Sequence, residues 1–166
     1  GTVKCSTAVC TNSGSATSTL DVDAGGTLNF TSSGWGAIGT LNNIYTLDGT
    51  VEFSAAGSQT VAGPVAYTHL TVSGSGIKTL ATVSVNGVFS LQGTATVSGS
   101  PTYGVSSVLE YKGASAQVAS PTNEFQGVKG VRVNNVAGVS LGGNATVDGV
   151  VSFVAGNLYT TGFTLG

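Results

Sequence analysis

A parallel β-solenoid is the fold this sequence predicts, on three observations. Strand-type alternation runs through the chain while helix-type spacing is nearly absent. Similar segments recur at steps of about 20 residues, and their matched positions carry like side chains.

The alternation is explicit in Thr27-Leu28-Asn29-Phe30, Thr50-Val51-Glu52-Phe53, His69-Leu70-Thr71-Val72, Thr82-Val83-Ser84-Val85 and Gly130-Val131-Arg132-Val133. In each, the alternate apolar residues share one face of a strand. Each run is short and ends at Gly, Asn, Asp or Ser. Helix formers are scarce: there is no Met and no window rich in Ala, Leu, Glu and Lys.

The recurrences set the period. "GTLNF" at Gly26 returns as "GTVEF" at Gly49, 23 positions on, and in altered form as "SVLEY" at Ser107, a further 58. Phe53, Gln59 and Tyr67 match Tyr111, Gln117 and Phe125, each 58 positions later. Leu70-Thr71-Val72 then matches Val131-Arg132-Val133 at 61, and "VNGVFSL" from Val85 matches "VDGVVSF" from Val147 at 62. The growing offset predicts small loop insertions between similar rungs.

The Asn-Gly and Asp-Gly dipeptides favour φ > 0, so they either close hairpins or turn corners of a coil. Hairpins would give an antiparallel β-sandwich, the alternative fold. Rungs of about 20 residues, against the 8 to 12 usual for sandwich strands, favour corners. The expected architecture is a single-stranded β-solenoid of about eight rungs, a prism near 40 Å long at about 4.8 Å per rung. Val72 and Phe89 should face its core; Lys78 and His69 should cover it. Residues 1–17 lack the alternation and read as an N-terminal tail or cap, with the repeat domain over 18–166.

Composition narrows the function classes. Only 7% of residues are charged, so the surface must be mostly Ser, Thr, Asn, Gln and Gly. Five scattered basic residues and a formal net charge of −2 leave no footprint for nucleic acid or anionic lipid. No apolar run approaches the 18 to 20 residues of a membrane-spanning helix. No charged segment followed by an apolar one opens the chain, so any secretion signal would already have been removed. Cys5 and Cys10, the only cysteines, are spaced for a local disulfide, with two free thiols as the alternative and a zinc site poorly served. A disulfide there would pin the N-terminus.

Tyr67, Leu70, Val72, Gly74, Ser75, Gly76, Lys78, Thr79 and Leu80, followed by Val85-Asn86-Gly87, form the pattern Y-x-x-L-x-V-x-G-S-G-x-K-T-L…V-N-G. The pattern resembles the repeats of secreted bacterial surface proteins of the adhesin and autotransporter-passenger type. The resemblance implies a parallel β-solenoid and an extracellular or cell-surface location, and it brings no catalytic residues. It covers about residues 26 to 166, loosening where "VRVNNVAGVSLGGNATVDG" loses the Gly-Ser-Gly and Lys-Thr-Leu.

Reactive groups are few. Glu52 and Glu110 occupy equivalent outward positions, which makes a facing acid pair conceivable and solvated strand positions the simpler reading. "DVDAGG" from Asp21 offers two carboxylates, fewer than a Ca²⁺ loop needs, and reads as a turn. His69 has no nucleophile or acid beside it, and "GSGIK" lacks the order of a phosphate loop. Asn29 and Asn144 stand in glycosylation sequons. No catalytic residue, cofactor or metal is expected. Trp35, in a Gly-rich stretch, and Tyr159 and Phe163, near a C-terminus that stays strand-like, are the candidate binding or interface residues.

The expected function is therefore a non-enzymatic extracellular structural subunit. It would join copies of itself through its ends into a filament, fibre or matrix, since a solenoid's last rung exposes an unpaired strand edge. The alternatives are an adhesin-type module for polysaccharide or a surface, and an ice-binding protein, which would need more regular Thr-x-Thr ladders than Thr94-Ala95-Thr96.

Overall fold

The structure, a computed structural model, describes residues 2–5, 18–32, 43–61 and 63–166. Strands and turns account for it, with no helix among the described residues. In chain order the first strands are β1 (Thr2–Cys5), β2 (Ser18–Val22), β3 (Thr27–Phe30), β4 (Asn43–Leu47), β5 (Thr50–Phe53), β6 (Gln59–Val61) and β7 (Val65–Tyr67). There follow β8 (His69–Val72), β9 (Ile77–Leu80), β10 (Val83–Val85), β11 (Val88–Gln92), β12 (Thr96–Ser98) and β13 (Thr102–Tyr103). The last are β14 (Val108–Gly113), β15 (Gln117–Ala119), β16 (Val131–Asn135), β17 (Val139–Leu141), β18 (Val151–Ala155) and β19 (Leu158–Tyr159).

All pairings are parallel and connect one coil to the next, as a solenoid requires. The long face is an eight-stranded sheet in the order β1-β3-β5-β8-β11-β14-β16-β18. A second face carries β6-β9-β12 and, separately, β15-β17-β19; a third carries β2-β4 and β7-β10-β13. The chain visits the faces in turn, so β5, β8, β11, β14, β16 and β18 each open a complete coil, about six in all. The structure thus has about six turns where the period predicts about eight rungs. Thr2–Cys5, expected in a tail or cap, stacks on β3 as the first strand of this face.

Register explains the sequence repeats. The step from Thr27 to Thr50 is 23 residues, from Thr50 to His69 is 19 and from Val88 to Val108 is 20. The 58-residue recurrence spans three coils, since Phe53 lies on Val72, Val72 on Leu91 and Leu91 on Tyr111. The offset grows because the coil from Leu109 to Val131 takes 22 residues. In that coil a run of turns over 121–127 stands where the third-face strand would be, and carries Phe125 into the core.

The core is a set of side-chain columns along the prism. Leu28, Val51, Leu70, Phe89, Leu109 and Val131 form one, and Phe30, Phe53, Val72, Leu91, Tyr111 and Val133 another; all are buried. Parallel in-register stacking puts each apolar side chain on its counterpart, and β-branched and aromatic residues suit that pleated, closely packed surface. The Phe30 and Phe53 rings stack with centroids 5.2 Å apart.

The glycine corners act by two different means. Gly74 and Gly76 take φ of +72°, turning the chain from β8 to β9. Gly87, in the Asn-Gly dipeptide, is a corner without positive φ. A Cβ there would meet the Thr68 carbonyl oxygen at 2.6 Å and the His69 ring at 2.8 Å, so close approach of the coil below requires glycine.

Replacing Phe89, fully buried between Leu70 and Leu109, with Asp should abolish cooperative folding. A buried unpaired carboxylate and a lost aromatic together cost more than about 5 kcal/mol, comparable to a domain's whole stability. Loss of the far-UV circular dichroism melting transition checks this, as it does for Val72→Asp.

Candidate functional site

Side-chain chemistry gathers at the corner between the long and second faces, and at one break in the second face. At the corner the chain bends with carbonyl groups turned inward, out of reach of water, and these need donors. Gln59, 2% exposed, supplies them: Nε2 donates to the carbonyls of Phe30 (3.0 Å) and Ser32 (2.6 Å), while Oε1 accepts from the Ala55 N–H at 2.9 Å. One coil later, in register with Gln59, Lys78 is fully buried. Its Nζ donates to the carbonyls of Ala55 (2.8 Å) and Gly57 (2.8 Å) and to Gln59 Oε1 (2.9 Å), using all three ammonium donors. Desolvation by burial lowers the Lys78 pKa from its ordinary value.

The device recurs three coils on. Gln117 Nε2 donates to the Leu91 carbonyl at 3.1 Å, the stack equivalent of the Phe30 carbonyl that Gln59 meets. Gln117 Oε1 accepts from Asn135 Nδ2 at 2.8 Å, and Asn135 Nδ2 also reaches the Ser115 carbonyl at 2.7 Å. The Gln59/Gln117 match in the sequence is therefore a repeated corner bond. Lys78, expected on the surface, is instead an interior donor. Its strand alternates exposed and buried residues, and Lys78 shares the inward side with Leu80. That parity was present in the sequence and was overridden by residue type.

The break lies between β12 and β15, which belong to successive coils and do not pair. Between them opens a cavity of about 480 Å³, lined by Val97, Tyr111, Gln117, Val118 and Glu124, among others. Glu124 comes from the 121–127 turns and is 2% exposed. Its Oε1 accepts from the Ser120 N–H (2.8 Å) and from the Tyr111 hydroxyl (3.0 Å), while its backbone carbonyl accepts from the Tyr103 hydroxyl. Burial raises the Glu124 pKa, the hydrogen bonds opposing but not cancelling that effect; burial likewise pushes up Tyr103 and Tyr111. No local pattern marks Glu124, because burial of a turn residue is decided by which coil it folds against.

The long face carries outward polar groups in one column. Glu52 and Glu110 are both in it, separated by Thr71 and Ser90. Three rungs put them about 14 Å apart, beyond the separation two glycosidase carboxyls use. Each is engaged locally: Ser73 Oγ donates to Glu52 Oε1 at 2.6 Å, and Ser90 Oγ to Glu110 Oε2 at 3.1 Å. Arg132, without an acid near it in sequence, lies 3.5 Å from Glu110 Oε1. His69 is half-buried on the outside, where its Nδ1 accepts from the Val88 N–H at 3.1 Å. Asp23 belongs to the turn into β3, its carbonyl accepting from the Gly26 N–H at 2.8 Å.

Tyr159 and Phe163 lie exposed after β18, in which Phe153 and Val154 are also exposed. Trp35 and Cys10 lie outside the described residues, and with Cys10 the expected Cys5–Cys10 pair; Cys5 ends β1. Among the described residues no group of three or more His, Cys, Asp or Glu is placed to hold a metal ion, and no helix is long and apolar enough to cross a membrane. No family model, curated protein or solved structure matches the chain.

Lys78→Met should lower stability by about 3 kcal/mol in urea unfolding, because two buried acceptors and one part-buried acceptor lose their donor. Glu124→Gln should act oppositely, and only in one pH range. The folded carboxyl holds its proton above the ordinary glutamate value of 4.5, so wild-type stability falls as pH rises from there through the folded pKa, then levels off. The melting temperature of Glu124→Gln should therefore exceed that of the wild type at pH 7 and converge with it below about pH 4.5.

Proposed function

We propose that this chain is a non-enzymatic, extracellular structural module, a solenoid segment that extends by stacking rung on rung with copies of itself. The observation that carries the reading is the state of the coil formed by β18 and β19. Phe153 follows Val133 in a column whose members from Phe30 to Val133 are all buried, yet it is 59% exposed. Val154, Tyr159 and Phe163 are exposed in the same coil, and the edge of β18 pairs with no further strand among the described residues. An open edge with apolar columns at its back is a template for one more rung, and a second copy has rungs of the same period to offer.

Other features support the reading. With 7% of residues charged, little repulsion opposes close packing of neighbouring copies. Buried Gln59, Lys78, Gln117 and Asn135 serve the corners, and Glu52 and Glu110 are too far apart to act as a pair. The resemblance of Tyr67–Gly87 to repeats of secreted bacterial surface proteins supports the extracellular location.

The purified chain should form rods whose length grows with protein concentration in increments of about 35 to 40 Å, one prism per copy. Electron microscopy and light scattering would read this, and Phe153→Asp should return the chain to monomers. Monomers alone at every concentration would sink the reading. Rods formed only when the chain carries further sequence beyond Gly166 would assign the next rung to that sequence.

A further inference from the structure

The break in the second face offers two unpaired strand edges with a cavity and a buried acid between them. On either side of it the ladder groups are free to accept a partner. In β12 the Thr96 N–H bonds back to the Gly76 carbonyl, so by the alternation of a parallel ladder the N–H and C=O of Val97 point into the break. In β15 the Gln117 N–H bonds forward to the Gly138 carbonyl, and the Ala119 carbonyl accepts from the Gly142 N–H. The backbone groups of Val118 therefore point into the break from the other side. A three-residue strand occupies about 10 Å along its axis, 4.8 Å across the ladder and 10 Å through the sheet, roughly 480 Å³ in all. The cavity, at about 480 Å³, is large enough to be of that order.

The inward residue of such a strand would join the column Gln59, Lys78, Val97, Gln117. In that column Lys78 is held by carbonyl and amide oxygens. In the break the acceptor is a carboxylate: Glu124 lines the cavity almost wholly buried, and both hydrogen bonds reaching it from other residues end on Oε1. No cation among the described residues is paired with it.

We propose that the break is a strand-insertion site, taking a three-residue extended segment of a partner chain, parallel to β12 and β15, whose inward central residue is a lysine paired with Glu124. Backbone hydrogen bonds to Val97 and Val118 supply the docking, and the buried acid supplies the choice of residue. The chain's own β9 shows the sequence type that fits such a slot: Ile-Lys-Thr, with the lysine inward and the flanking residues outward.

The test uses the synthetic peptide Gly-Ile-Lys-Thr-Leu and the whole chain. Titration calorimetry should give saturable binding below about 1 mM. Affinity should fall at least tenfold with the peptide in which norleucine replaces lysine, and as much with Glu124→Gln. Val118→Pro, which removes the edge N–H while leaving the bonds of Gln117 and Ala119 to β17, should also abolish binding. Amide hydrogen exchange should show new protection at Val97 and Val118. Absence of saturable binding would overturn the proposal. So would equal binding of the norleucine peptide, full binding by Glu124→Gln, or protection appearing on β18 in place of Val97 and Val118. If Val118→Pro fails to melt cooperatively, the Glu124→Gln and norleucine comparisons and the exchange pattern decide alone.

Discussion

The parallel register of the long face is the constraint on which the rest depends. Once Thr27 lies on Thr50 and Thr50 on His69, every inward residue of one coil is placed on an inward residue of the next. The core is then built from columns, so its composition is fixed position by position along the chain. A large residue in one coil is met by whatever its column neighbours allow, as in the stacked Phe30 and Phe53 rings followed by the smaller Val72. The low charge of the sequence follows from the same geometry. Small coils leave few positions both outward and far from a neighbour, and hydroxyl and amide side chains satisfy close outward ladders without like-charge repulsion.

A coil of about 20 residues must also bend sharply, and the bends create the demand that the interior polar groups meet. Gln59 uses both amide hydrogens and both lone pairs of its carbonyl oxygen, two of the partners being backbone carbonyls of the preceding coil. Lys78 adds a third kind of donor at the same corner. Its cost is the dehydration of an ammonium group, partly returned by three short hydrogen bonds to oxygen. Such corners tie each coil to its neighbour by side chains as well as by the ladder, and they locate the register independently of the apolar columns.

Much of this was legible in the residues. The alternation in β3, β5, β8 and β16 gave strands whose inward members are the buried ones, and the 58-residue recurrence of Phe53, Gln59 and Tyr67 gave the period in multiples of three coils. What was misread was Lys78, where residue type was weighed above the parity it shares with Leu80, and Gly87, where a preference for positive φ stood in for a demand of close approach. The break between β12 and β15 was beyond local reading. Both strands are present there and fail to pair, and the burial of Glu124 follows only from where the 121–127 turns come to rest against Tyr103 and Tyr111.

The direction of the hydrogen bonds has a mechanical meaning. Strands run around the prism, so their ladder bonds lie along its axis, and tension on the two ends reaches the coil junctions in series. Each junction then bears the whole force, and the rod is as strong as its weakest one. Between the coils of β11 and β14 no strand-to-strand ladder crosses on the second or third face. The long-face ladder carries that junction, helped by side-chain bonds such as Ser100 Oγ to the Thr122 carbonyl. Under load the prism would open there first, into two halves that each keep their own columns and stay joined by the chain that runs from β11 through β12 and β13 to β14.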